Sequence, residues 1–564
     1  TILGCDHPNT GSSYNNVASC LQSLGRAVEA EEFCHKAMAI CENELGPDHP
    51  NTAAALNSLA SNLAAQGRPA EAEPLNRRAL NICRKVLDSD HPNIASGLGN
   101  VASNLAAQGK ASEAQPLFVE ALDHRLRTCG PDHPDTATSL NNLACNLSAL
   151  GDHLEAEKLH RKCLTIRDKT LGKDHPLTAE SYKNLATTLS AQGRLAEASP
   201  FYRGALEIFE QIWGTHHPTT ATGYNGLADS LNSQGKVKEA EILYTKALEI
   251  RLSTLGPKHP DVGASYSNLA ANLDAQGKAS AAEIVHLKAL DHLLGALSDD
   301  HPLIAASYNN VASNLDAQGR HSEAELYYRK ALDIFERVLG KSHPDTASTL
   351  NNLGGNLNSQ GRFIQAEDIL RSALLIRERV LGEDHLNTAI SYTALAYNLQ
   401  NQGKNTEAGR FFSLAVAIRE RVLGVEHPAT VKSHGNVAFN LNAKGKWAEA
   451  EKIFRYVVEI SKRVYPPDHP EMITVYGNLG SNLDAQRKHV EAEPFLRKSV
   501  SISNRVLGFK HSGTAISYNN LATNLDAQGK TFEAKTLAKK SMKICCRALG
   551  KNHPTCVSLK NNWR

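Results

Sequence analysis

Histidine returns every 42 residues along this 564-residue chain, at His7, His49, His91, His133, His175, His217, His259, His301, His343, His385, His427, His469, His511 and His553. Proline follows each one except at Leu386 and Ser512, and no insertion or deletion shifts the register over thirteen periods. A strict period of this length marks an array in which each unit is one supersecondary element. A single such unit cannot bury its apolar face alone, so neighbours must stack into a solenoid. Enzymes built on repeats usually break register where a site was inserted. This chain does not.

One unit, 303–340, resolves into two helices. Ile304, Tyr308, Val311 and Leu315 fall at i, i+4, i+7 and i+11, the apolar stripe of an amphipathic helix, here helix A. Gln318 and Gly319 end it, because Gly closes a helix in the left-handed conformation without a Cβ clash. Twelve of the thirteen units have this Gly; the exception is Arg487. Ala324, Tyr328, Ala331, Phe335 and Val338 form the stripe of helix B, which runs to Leu339 and Gly340. The His-Pro turn then opens the next helix A, with Pro suited to a first helical turn where no amide donor is needed. Ala or Gly holds one position of helix A throughout (Ala18, Ala60, Ala102, Gly354, Gly480, Ala522) and Ala one position of helix B (Ala30, Ala72, Ala114, Ala324, Ala534), as close helix packing requires. The organisation predicted is the end of a preceding repeat at 1–6, thirteen repeats over 7–552 and the start of another at 553–564.

The order Leu or Tyr, L-A, Leu, Gly, Ala, Ala resembles the tetratricopeptide repeat, with its usual Trp replaced by Leu56, Leu98, Tyr182, Tyr266 or Tyr308. The 42-residue length and the strings S-L-N-N-L-A, A-Q-G-K, E-A-E, I-R-E-R-V-L-G and D-H-P-x-T-A are similar to the longer repeat of kinesin light chains and their relatives. The resemblance covers the whole chain. It implies an all-α, right-handed superhelical solenoid of helix-turn-helix repeats, without catalytic activity. No heptad coiled coil precedes the repeats, and no G-x-x-x-x-G-K-[ST] of an attached signalling ATPase is present.

Composition narrows the partners. Lys plus Arg number 61 against 59 for Asp plus Glu, a net charge of +2, with no basic arm or acidic tail. Residues 51–66 of one helix A carry no charge and 303–318 only Asp316, while basic residues such as Arg68, Lys110, Arg320 and Lys530 follow the Gly. Nucleic-acid affinity comes from Lys and Arg on phosphates, so nucleic acid is not an expected partner. Lys183 and Lys432 are isolated, too few for a clamp on acidic tails. No run approaches a membrane span, so no membrane insertion is expected.

Catalytic and metal motifs are missing: no H-E-x-x-H, G-x-S-x-G or C-x-x-C occurs. No cofactor or metal is implied. Helix packing separates the periodic His by roughly 8–10 Å, too far to share a metal, so they are predicted to serve the turn or cap the helix. The paired carboxylates of E-A-E (Glu71 and Glu73; Glu323 and Glu325) sit two apart on a helix, do not face each other, and are expected to solvate the surface. The eleven cysteines are expected mostly as buried, reduced thiols.

The chemistry that remains is an asparagine ladder. Asn recurs just before the apolar pair of helix A, at Asn16, Asn100, Asn142, Asn184, Asn268, Asn310, Asn352, Asn436, Asn478, Asn520 and Asn562, a costly choice inside a helix. A second Asn follows at i+4 in ten units, from Asn62 to Asn524. The resemblance places helix A on the concave surface. It places the first Asn where kinesin light chains and the O-linked N-acetylglucosamine transferase array clamp the backbone of an extended peptide. An amide side chain donates and accepts at once, matching a peptide whatever its side chains. Bracing between repeats is the alternative, open for the first Asn and favoured for the second.

Ile2, Leu3 and Gly4 match the close of a helix B, and Trp563 and Arg564 lie inside a new helix A, so neither end carries a polar cap. The expected function is a protein-interaction scaffold binding extended peptide segments along helix A. The alternative is a solenoid that self-associates head to tail into a filament, and a third reading is the sensing repeats of a larger signalling protein. A scaffold would sit in the cytoplasm and a filament could lie outside the cell; the sequence itself carries no address.

Overall fold

The computed structural model describes residues 7–509, 511–548 and 556. These form 26 helices and, among the described residues, no strand, from α1 (Pro8–Ser23) to α26 (Thr531–Ala548). Odd-numbered helices are helix A of each unit and even-numbered ones helix B, and from α1 to α18 (Phe363–Leu381) and from α20 (Asn405–Leu423) to α26 each packs on the next along the chain. The unit read from sequence at 303–340 is α15 (Pro302–Ala317) and α16 (His321–Val338). Residues 1–6, and all of 553–564 but Cys556, lie outside the described residues, and so does the reading of both ends. The chain divides into two compact units, Thr1–Ala394 and Leu395–Arg564, the division falling inside α19 (Leu386–Asn401).

The periodic motif is a capping device. In all thirteen described units the His Nδ1 accepts the backbone N–H two residues on, at 3.0–3.2 Å. This satisfies a donor that the first turn of a helix leaves without a partner. One residue further, Thr52, Thr136, Thr178, Thr220, Thr346, Thr388 and Thr514 donate to the carbonyl of the Gly that ended helix B, at 2.7–2.9 Å. G-x-x-H-x-x-T is therefore one hydrogen-bonded turn, with Pro after the His in five of these seven. Helix A ends in a Schellman motif, seen in the bond from Arg320 N–H to the Leu315 carbonyl at 3.0 Å. Arg487 keeps that geometry at φ 62°, the one non-glycine with positive φ among the described residues.

Packing follows the small residues. The helix B Ala is fully buried in all thirteen units, from Ala30 to Ala534. Successive units are then bolted together by a polar relay. Asn62, Asn146, Asn272, Asn314, Asn356, Asn440, Asn482 and Asn524, all buried, donate Nδ2 to a carbonyl at the start of the preceding helix B, at 2.8–3.2 Å. Except where Leu150 and Lys444 replace it, the Gln that follows each of these Asn bridges from it to the second Glu position of E-A-E, as Gln528 does to Asn524 and Glu493. The basic residue after the Gly closes the set, as Lys530 does on Glu493 at 2.6 Å. The expectation that E-A-E merely solvates the surface holds for Glu71 and Glu323 but not for Glu73 and Glu325. The latter are largely buried and receive Gln108 and Gln360 of the next unit at 2.8 and 3.0 Å. The i+2 argument considered only one helix, whereas the partner comes from the neighbouring repeat.

Within the first unit, 1–394, the array turns back on itself every six repeats. The Gly turns at Gly25, Gly67, Gly109 and Gly151 meet the His-Pro caps at His259, Pro302, Pro344 and His385. His301, His343 and His385 place Nε2 at 3.3, 3.4 and 3.0 Å from the carbonyls of Ala65, Ala107 and Ala149. The helix B pair α6 (Ala111–Thr128) and α18 (Phe363–Leu381), also six repeats apart, touches as well. Successive superhelical turns of this unit thus share a seam.

Candidate peptide-binding groove

Helix A buries one stripe and turns the opposite face outward, and the first Asn of each unit lies on that outward face, exposed at Asn16 and Asn100 and half-buried at the others described. Three of them have an intramolecular partner. Asn184 donates to Asn141 Oδ1 at 2.9 Å, Asn352 to Asn309 Oδ1 at 3.3 Å, and Asn436 Oδ1 accepts from the Tyr397 hydroxyl at 2.6 Å. Among the described residues Asn16, Asn100, Asn142, Asn268, Asn310, Asn478 and Asn520 make no side-chain hydrogen bond. Asn562 lies outside the described residues. The two ladders therefore differ: the second Asn binds the neighbouring repeat, and the first is mostly left free.

Between successive A helices the surface opens into cavities floored by helix B. One, of about 200 Å³, lies between α5 (Pro92–Ala107) and α7 (Pro134–Ala149) and is lined by Ser96, Asn100, Ser139, Asn142, Arg125 and Asp135, among others. Its one cation is neutralised on the spot, for Arg125 Nη1 lies 2.8 Å from Asp135 Oδ2. Arg125 belongs to a column with Arg167, Arg251 and Arg377, all buried. These tie helix B to the next helix A, as Arg377 does through the Asn387 carbonyl at 2.8 Å and Ser391 Oγ at 2.9 Å. Burial pushes the Arg377 guanidinium down to about 10. Their donors serve the fold and do not form a basic stripe for phosphates.

A second cavity, of about 320 Å³, lies between α21 (Pro428–Ala443) and α23 (Glu471–Ala485) in the second unit. It carries Asn436 and Asn478 at its mouth and an apolar wall that includes Tyr397 and Phe439. Burial raises the Tyr397 hydroxyl above its ordinary range, so it remains a hydrogen-bond donor at neutral pH. One further cluster, Cys129, His133 and Asp135, holds three potential metal ligands within 4.8 Å. Asp135 Oδ2 is already paired with Arg125 Nη1 at 2.8 Å, and His133 Nδ1 caps the helix at 3.1 Å, so a cation there would compete with the guanidinium for Asp135.

The tetratricopeptide repeat model matches ten segments between residues 9 and 505, and a second tetratricopeptide repeat model matches 514–555. The chain belongs to the tetratricopeptide repeat family. Among solved structures it is similar to a putative kinesin light chain of Podosopora anserina with nearly identical TPR-like repeats, at 27% identity over 36% of this chain and 98% of that one, TM-score 0.32. It is also similar to BtubC (BKLC) of P. vanneervenii, at 20% identity over 42% of this chain and 91% of that one, TM-score 0.34. No curated protein matches the chain.

Tetratricopeptide arrays are protein-interaction scaffolds, and this array has the general equipment of one. No helix among the described residues is long and apolar enough to cross a membrane. Sequence reasoning singled out the ladder but passed over Tyr397 and Phe439. The available signal was the position three residues after the first Asn, small or polar in eleven repeats and aromatic only in these two.

Proposed function

We propose that this tetratricopeptide array is a non-catalytic scaffold that holds extended polypeptide segments along the outward face of its A helices. The observation that carries this reading is the contrast between the ladders: the second Asn is buried and bonded, while seven of the ten described members of the first have no internal partner. A residue unfavourable in a helix, repeated without an internal bond, supports recognition from outside. A filament built by end-to-end stacking would rest on Leu3 and Leu559, which lie outside the described residues.

The test is the triple variant Asn100→Ala, Asn142→Ala, Asn310→Ala, assayed with linear peptides selected against the whole chain from a random library. With each net hydrogen bond contributing about 0.5–1.5 kcal/mol, affinity for peptides seated there should fall by about tenfold or more while thermal unfolding hardly moves. Lower stability with unchanged binding would show that the ladder braces the array.

A further inference from the structure

We infer that the cavity between α21 and α23 is an anchoring pocket for one bulky apolar side chain of the bound polypeptide. This rests on the groove reading above and adds a specificity to it. The A helices elsewhere carry Ser103, Ser313, Ser481 or similar small residues at the position three after the ladder, and a groove so lined has no preference for what it holds. Repeats ten and eleven carry Tyr397 and Phe439 there, exposed at 38% and 52% and lining one cavity together. Partly exposed aromatic surface beside a cavity at adjacent repeats marks a surface that a partner can cover.

The geometry fits a peptide better than other occupants. Phe454 and Val457, buried on α22 (Trp447–Val464), form the floor, so an entering side chain would be surrounded by carbon on several sides. The cavity, about 320 Å³, is the size of one large side chain with room to spare and is too small for a folded domain. At the mouth, the Tyr397 hydroxyl occupies Asn436 Oδ1, which leaves Asn436 Nδ2 free to donate to a peptide carbonyl. Asn478, one repeat further, has no internal bond and can serve the next peptide group. The rim carries Lys432 and Glu471, one charge of each sign, which favours neither a phosphate chain nor an anionic lipid surface. A large apolar side chain on a backbone offering amides is the occupant that meets all of these groups.

Two variants probe the pocket from opposite directions. Phe439→Ser installs the residue common in other repeats and removes a wall. Gly435→Leu fills the cavity, since a Cβ at Gly435 meets nothing within 4 Å and a helical Gly gains propensity on substitution. A random linear dodecapeptide library is selected against the whole chain, and binding of the recovered peptides is measured by calorimetry on the wild type, both pocket variants and Asn478→Ala. The expected result is a shared aromatic or leucine residue in peptides that depend on Asn478, with about tenfold or greater loss when that residue becomes Ala, and a comparable loss for either pocket variant. Peptides that depend on Asn478 but bind both pocket variants like the wild type overturn the pocket and leave the groove reading standing. Recovery of no peptide overturns both. A wild-type dimer in sedimentation that becomes a monomer in Phe439→Ser would assign the pocket to a second copy of this chain and overturn the inference as well.

Discussion

Gly67 and Gly319 occupy the same place in the repeat, and both precede Arg in the string A-Q-G-R. Both are left-handed, at φ 75° and 80°. Among the described residues an alanine at Gly319 would meet nothing within 4 Å, whereas one at Gly67 would place its Cβ 2.3 Å from Pro302 Cδ, across the seam between superhelical turns. Gly319→Ala should therefore cost only the backbone term, about 1–2 kcal/mol for a residue with a Cβ in the left-handed region. Gly67→Ala carries that same term and in addition forces the turns apart. The additional cost is bounded by what the local seam contributes, because opening relieves the clash. The His301 to Ala65 bond, at 3.3 Å, is worth about 0.5–1.5 kcal/mol net, and the Pro302 contact adds to it.

A long array need not unfold in two states, so a single melting temperature is a poor assay. Small-angle scattering and hydrogen exchange are better suited. Gly67→Ala should enlarge the radius of gyration and raise exchange around the C-terminal turn of α3 (Pro50–Ala65) and the cap at His301. Gly319→Ala should leave the scattering unchanged. Gly109→Ala, with Pro344 Cδ also at 2.3 Å, should repeat the Gly67 result. Identical behaviour of Gly67→Ala and Gly319→Ala would refute the seam.

Acid should open the same seam. Burial lowers His301, His343 and His385 below the ordinary imidazole range, so the closed form binds fewer protons, and the stabilisation is complete above about pH 6.5 and declines as pH falls below it; scattering between pH 7.5 and 5 should show expansion, muted in the variant with all three changed to Asn. At lower pH the relay weakens, because the bond from Lys530, against the cost of burial, holds Glu493 at about 2, so its contribution is present above about pH 4.5 and lost as pH falls towards 2. Arg487→Gly should relieve a left-handed residue at φ 62° and stabilise that turn by up to about 1 kcal/mol, read as slower exchange near Lys488; unchanged or faster exchange would contradict it.

The helices, their ends and their pairing were legible because each rests on residues within one period: His as cap, Gly as left-handed stop, Ala at the contact. The seam was not legible. Gly67 and Gly319 are the same letter in the same motif, and only the folded array shows that the first meets a proline six repeats further on. The relay was half legible, since the second Asn announced a brace while the Glu that accepts from the following Gln was dismissed from intrahelical geometry alone. The pocket was legible in principle, as two aromatic departures from a column of small residues, but its depth depends on Phe454 and Val457 beneath, which a single column does not reveal.

A perfectly periodic chain leaves little of itself for recognition. The His rings are occupied at Nδ1 by the helix caps, the Thr hydroxyls by Gly carbonyls, and the second Asn, the Gln and the second Glu by the neighbouring repeat. A partner meets what this network leaves over, and two kinds of group fit that description. The first Asn is periodic but mostly unbonded, and supplies a contact that repeats along a backbone without regard to sequence. Tyr397 and Phe439 break the period, and a broken period is the means by which a repetitive groove can prefer one segment over another. Affinity drawn from the ladder and selectivity drawn from its exceptions are thus separable, and substitutions at Asn478 and at Phe439 should divide along that line: the first lowering binding to all peptides seated there, the second only to those with an apolar anchor.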